Sequence, residues 1–414
     1  MYKKLIGAIA VLLLAVITSS CSQSDEIAAG DSLSAVLTGE YSFTPGQDDD
    51  ICLSSYNNIA VAEGGYYFTT FEHHMLYYFD KATKKVIPVC NRPECSHDST
   101  DCNAYIGEIQ HYPGLWYYNG KLYVLGYKSG IMGLYTVSKD GSEHSRLCDL
   151  SETGREFTME TTIHRNYAYF SIDNGKNTAE VYRSKLEANS EPELIWKFEG
   201  KKAVINGLIG YDNGVFVSYS YYEEGESENE IYLLAYYSNN GKVYEIPLKD
   251  FYGQFAVCKG SIIYGSPTQV MKYDSSNGEI SVYYDKETCA VSYDGDYIYL
   301  DNETALFDAS IADNTDYDTS KRHIIVKDMY GNTIDDIHIK TDGFCYFGDR
   351  DYLLIDVNEE YASQKTKQIE IGDMIKGITS NFLTKLEALD KSQIGAEKHE
   401  WIVLKEWDID SIIG

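Results

Sequence analysis

NGKLYVL at 119–125, followed by LYTVSKDGSEHSRL at 134–147, is the stretch on which the fold turns. The first part is a Gly-containing turn and then alternating aromatic and aliphatic residues, the period-2 pattern of a half-buried strand. The second is an apolar strand, a KDG turn and another short strand. Asn-Gly and Asp-Gly supply the positive φ that tight hairpins require. One such phrase makes two hairpins, which is one four-stranded antiparallel unit.

The phrase recurs along the chain. Its first half reads EGGYYF at 63–68, HRNYAYF at 164–170, DNGVFVSY at 212–219, KGSIIYG at 259–265, DGDYIYL at 294–300 and DRDYLLI at 349–355. Second halves include LYYFDKATKKVIPV at 76–89, IYLLAYYSNNGKVYEIPL at 231–248 and VMKYDSSNGEISVYY at 270–284. The repeat length of about 35 to 55 residues brackets the ~40–50 of a propeller blade. With 38 Tyr and only 7 Pro in 414 residues, the composition suits strands. The expectation is an all-β chain: a β-propeller over residues 45–414 with about seven four-stranded blades, six or eight being the alternatives. Phe68, Tyr123, Phe170, Phe216, Tyr264 and Tyr299 are expected on its strands. A β-sandwich does not explain so regular a repeat, and a β-helix needs shorter rungs. Near the C-terminus Met374, Ile375, Ile378, Phe382, Leu386 and Leu389 fit a helical stripe. EWIVLKEW at 400–407 reads as a strand that could close the ring against an early one.

The N-terminus carries Lys3 and Lys4, then an apolar or small run from Leu5 to Ile17, then Thr18, Ser19, Ser20 and Cys21. The run is short of the ~20 residues a permanent span requires and reads as a signal peptide over 1–20. The end of it resembles the lipobox of bacterial lipoproteins, with Thr18 where Leu is usual. That resemblance implies acylation, of palmitate type, on Cys21, and a location on the extracytoplasmic face of the cell membrane. Residues 21–44 are polar and small, and read as a flexible tether. Without residues 1–20 the chain holds 33 Lys and Arg against 64 Asp and Glu, a net charge of −31. Such a balance opposes nucleic acid and anionic headgroups.

One local motif stands apart. CNRPECSHDSTDC at 90–102 places Cys90, Cys95, His97 and Cys102 in a C-x4-C-x-H-x4-C pattern. Three thiolates and an imidazole are the ligand set of a closed structural Zn²⁺ site. The spacing is not the usual C-x2-C, and exported chains oxidise, so disulfides are the rival reading, with Cys52 or Cys148 as outside partners. A polar loop with free thiols is the third. Cys258, Cys289 and Cys345 read as small buried hydrophobes. Taken together, the lipobox, the Tyr-rich repeat and the entry from Val86 to Cys90 into Pro93-Glu94-Cys95-Ser96-His97 resemble a group of β-propeller lipoproteins of anaerobic Gram-positive bacteria. The resemblance implies the fold and the location, and no activity.

No GxSxG, HExxH or phosphate-loop motif is present. Asp308, Asp313, Asp316 and Asp318 crowd one loop, which reads as a solvated acidic loop without EF-hand spacing. The favoured function is a non-catalytic binding or assembly role, with a protein, peptide or glycan partner and no nucleic acid. The competing one is a propeller lyase or hydrolase acting on a glycan or peptide at the cell surface. Fold alone does not separate them.

Overall fold

The computed structural model describes residues 33–37, 44 and 58–408, except 70–73, 108–109, 129–130, 152–159, 174–176, 223–228, 239, 289, 303–321, 340, 342, 344, 347–348 and 372–373. Cys21, Cys52, Cys289 and the four aspartates from 308 to 318 therefore lie outside the described residues. Among those described, no helix is long and apolar enough to cross a membrane.

The chain forms seven sheets, each of four strands in simple sequence order and each antiparallel throughout. The blades span residues 59–88, 110–149, 161–199, 201–246, 255–284, 290–338 and 345–407. Each recurring phrase begins at the turn between a blade's first and second strands. Phe68, Tyr123, Phe170, Phe216, Tyr264 and Tyr299 all lie on second strands and are all buried. An aromatic ring buried there removes ~150–250 Å² from water, so truncating one to Ala costs about 3–5 kcal/mol. The turns use the backbone their residues predict: Asn119 and Gly120 have φ of 48° and 75°.

Seven apolar cores, one between each pair of adjacent blades, close the ring. Leu76 and Tyr67 of blade one pack with Leu115 and Leu122 of blade two. Phe170 of blade three joins Leu125 and Leu134 of blade two. The series continues around to Tyr299 and Ile324 of blade six against Leu353 and Leu389 of blade seven. The last core joins Tyr66, Phe68 and Phe79 of blade one to Tyr352, Leu386 and Trp407 of blade seven. First strands of neighbouring blades touch one another, which places them innermost.

Two expectations near the C-terminus are corrected. Met374–Asp390 is a strand, not a helix, and pairs with the twenty-residue strand Tyr352–Ile371. Trp401–Trp407 pairs with Met374–Asp390 inside blade seven and not with an early strand. It still takes part in closure, because Trp407 meets Phe68 edge-on at 6.0 Å. A short helix at Leu33–Leu37 buries Val36 and Leu37 completely in the core between blades four and five. The Leu37 carbonyl accepts the Gly260 N–H at 2.9 Å. This docked turn falls inside residues 21–44, the stretch read as a tether.

Polar latches repeat at three blade junctions. At each, an acid in the turn before a second strand accepts from a Tyr hydroxyl and pairs with a Lys that follows a third strand. Between blades six and seven, Asp294 accepts from Tyr299 at 2.6 Å and from Lys391 Nζ at 2.6 Å. Between seven and one, Asp349 accepts from Tyr66 and from Lys81, both at 2.5 Å. Between one and two, Glu63 accepts from Tyr117 at 2.7 Å, with Lys139 3.9 Å away. Lys391 also donates to the Asp349 carbonyl at 2.5 Å, so it ties the first two latches together.

Candidate metal centre

The Cys/His loop joins blade one to blade two, and backbone pairing fixes both of its ends. Leu76 N–H donates to the Ala104 carbonyl and Ile106 N–H to the His74 carbonyl, both at 2.8 Å, around a bridge between Met75 and Tyr105. Short turns fold the interior: Cys95 N–H donates to Arg92, Cys102 N–H to Ser99, and Tyr105 N–H to Cys102. His97 adopts a left-handed φ of 60°, which turns the chain back toward Cys102.

The outer hairpin of blade two supports the loop from the side. Gly141, at φ 72°, packs so closely that an added Cβ would lie 2.1 Å from the Val89 carbonyl oxygen. The Asn91 side-chain amide donates to Asp140 at 3.1 Å, and Asn103 donates to Asn91 at 2.8 Å. Hydrogen bonds from Ser142 and Ser138 hold Asp140 far below the usual carboxylate range, so it is a constant anionic acceptor there.

The structure brings all four sequence-identified residues together. One ligand atom from each of Cys90, Cys95, His97 and Cys102 lies within 4.8 Å of the others. His97 Nδ1 is 3.3 Å from Cys102 Sγ. A tetrahedral ion with Zn–S of ~2.3 Å and Zn–N of ~2.0 Å spaces its ligands about 3.5–3.8 Å apart, so a small inward adjustment suffices. Met75 and Ala104, both buried, form the apolar floor with Cys102.

The thiols differ in acidity. Burial opposes the Cys90 thiolate, but N–H groups of Arg92 and Asn103 and the two neighbouring thiols outweigh it and hold Cys90 below the usual thiol range. Burial pushes Cys102 up to about 12, partly offset by the Ala104 N–H. A soft cation would thus find its more acidic thiol at Cys90 and would have to displace the proton held by Cys102. The other described cysteines, Cys148, Cys258 and Cys345, lie outside the cluster. Cys258 is fully buried, and Cys345 is half-buried.

Beside the centre lies a cleft of about 560 Å³ that no sequence motif announced. Cys102, Asn103 and Tyr105 of the loop form one wall, and Lys128, Tyr135, Ser142, His144 and Arg146 of blade two line the rest. Among the described residues, the lining holds no Asp or Glu. One Arg146 nitrogen pairs with Asp149, and His144 Nε2 lies 3.0 Å from the Asn103 carbonyl. The Tyr135 hydroxyl is buried and has no hydrogen-bond partner among the described residues.

No family model matches the chain, and no curated protein does. Solved structures match at low identity. BamB from Moraxella catarrhalis is 10% identical, with 73% of this chain and 82% of that one covered and a TM-score of 0.42. TolB from Acinetobacter baumannii is 11% identical, with 67% and 64% covered and a TM-score of 0.38. An oligogalacturonate lyase in complex with manganese is 12% identical, with 77% and 93% covered and a TM-score of 0.46. Similarity at this level carries no argument about activity.

Proposed function

We propose that this chain is a lipoprotein anchored through Cys21 to the extracytoplasmic face of the cell membrane. In this reading Cys90, Cys95, His97 and Cys102 hold a structural Zn²⁺, and the propeller binds a protein, peptide or glycan ligand without turning it over. The observation that carries the reading is the convergence of four soft ligand atoms in a loop that walls a cleft. Four protein ligands fill a tetrahedral ion and leave no position for substrate or attacking water. The metal then fixes a recognition surface and performs no chemistry. Convergence on one point also supports metal over disulfide pairing, which would join the thiols two by two.

Net charge alone favours a cationic partner, but the cleft lining runs the other way. Lys128 and Arg146 supply charge, and Ser142, Thr100 and Tyr135 supply hydroxyls. Such a set suits a ligand that presents a carboxylate or phosphate group. Anchoring rests on Lys3, Lys4, the apolar run and Cys21.

The test uses the mature chain, purified without oxygen and without added metal. About one zinc per chain is expected, with saturable binding to acidic members of a peptide and glycan panel. Arg146→Gln should weaken that binding by tenfold or more and leave the zinc in place. Less than about a tenth of an equivalent of metal would end the zinc reading. Saturable turnover of a panel member, abolished by changing one carboxylate of the propeller, would replace binding with catalysis.

A further inference from the structure

A second cluster of metal-ligating side chains stands on the outer part of blade six, away from the Cys/His loop. His323 begins the third strand, His323–Lys327, and His338 ends the fourth, Thr333–His338. The two histidines are direct partners in the antiparallel ladder, with ring centroids 5.5 Å apart. Asp336 is two residues before His338, so it projects from the same face of the sheet. His323 Nδ1 lies 2.7 Å from Asp336 Oδ1, and His338 Nε2 lies 3.9 Å from the same oxygen. The three ligand atoms fall within 4.8 Å of one another.

We propose that His323, Asp336 and His338 form a second, open site for a borderline divalent cation, with Zn²⁺, Co²⁺, Ni²⁺ and Cu²⁺ as the class it accepts. Two imidazoles and one carboxylate are a nitrogen-rich set, and Ca²⁺ and Mg²⁺ call for oxygen ligands throughout. Three protein ligands leave at least one coordination position for water or for a donor from another molecule. The ladder holds the two histidines in register, and the His323 N–H is fixed by Asn302 Oδ1 at 2.7 Å. The side chains remain reachable from solvent, with relative exposures of 24%, 46% and 67% for His323, Asp336 and His338. Binding displaces the proton shared between His323 Nδ1 and Asp336 Oδ1, and the cation takes its place. Asp335 points to the opposite face, where His399 Nε2 at 2.8 Å and the Gly395 N–H at 2.6 Å engage it, so it does not compete.

Cobalt separates this site from the Cys/His centre by spectrum as well as by number. The mature chain, without a polyhistidine tag, is stripped of metal and titrated with Co²⁺ under anaerobic conditions. Two equivalents should bind. One should give intense near-ultraviolet thiolate-to-cobalt charge transfer, and the other only weak visible bands. In His323→Ala/His338→Ala the second equivalent should vanish with charge transfer intact. In Cys95→Ser/Cys102→Ser the charge transfer should vanish with the weak bands intact. His338→Ala alone, at the most exposed position, provides the check if the cysteine variant does not fold. It should weaken the second equivalent at least tenfold. A wild-type chain that binds only the charge-transfer equivalent overturns the proposal, as do weak bands that survive in His323→Ala/His338→Ala. Absent charge transfer counts against the Cys/His centre alone.

Discussion

Replacing Lys391 by Met removes the cation that joins two of the polar latches. The Lys391 ammonium is buried between Asp294 Oδ2 at 2.6 Å, the Asp349 carbonyl at 2.5 Å and the Tyr299 ring at 4.5 Å. Burial depresses the Lys391 pKa despite Asp294 and Asp349, so desolvation already takes back part of the attraction. Met fills the volume but leaves the Asp294 carboxylate buried and unpaired. Breaking a buried pair from one side costs about 3–5 kcal/mol. The low end applies here, because Asp294 retains the Tyr299 hydroxyl and the N–H groups of Asp296 and Tyr297. With ~2.1 cal/mol/K of unfolding entropy per residue over about 350 residues, 1 kcal/mol moves the midpoint by about 1.4 °C. Lys391→Met should therefore lower the Tm by roughly 4–5 °C in differential scanning calorimetry. Adding Asp294→Asn, which removes the stranded charge, should return the double variant to within about 1 kcal/mol of wild type. A single variant within about 1 °C of wild type would refute the reasoning, as would losses in the two singles that simply add.

His97→Ala should lower bound zinc and thermal stability together and leave the protein insensitive to reductant; stability that depends on reductant but not on His97 would favour disulfides. Cys21→Ala should release the protein from membranes or leave an uncleaved precursor, read by detergent partitioning of palmitate-labelled cells. Burial raises the Asp356 carboxyl to about 7, against ~3.9 in an unfolded chain. Its contribution is then complete below pH ~4 and lost as pH rises through about 7. Asp356→Asn should accordingly gain about 1–3 kcal/mol on wild type between pH 4 and pH 8, measured by urea titration at each pH, and an unchanged difference across that range would rule this out.

The fold was legible because its signal is local and repeated. Second strands such as Gly65–Phe68 and Ile298–Asp301 pair with chain neighbours across short turns, so turn residues and aromatic alternation suffice to find them. The C-terminal strand misled for a physical reason. Leu386 and Ala388 face the core shared with blade one, while Leu389 faces the core shared with blade six. A strand buried on both faces loses its period-2 pattern, and the pairing with Trp401–Trp407 is irregular between Leu386 and Glu387. The Cys/His centre was legible because its four ligands lie within one short loop. The latches were not, since Tyr66 and Lys81 meet an aspartate more than 250 residues away. The same holds for the cleft, whose cationic lining comes from Lys128 and Arg146, residues that look like ordinary strand-edge charges.

Every blade is a single uninterrupted piece of chain, blade seven included, and this bears on the order of assembly. Among the described residues, the strand ladders join residues within one blade, so a chain emerging from its N-terminal end can complete each sheet before the next is available. Loop closure within a blade is short and entropically cheap. Among the described residues, the seam between blades seven and one is where partners come from opposite ends of the ring, through Asp349 with Tyr66 and Lys81 and through Trp407 with Phe68. Until that seam forms, the aromatic faces of blades one and seven are open to solvent and to other chains. Docking these two faces carries the longest sequence separation in the ring, and closure of that kind is expected to be the slow step and the one most open to aggregation.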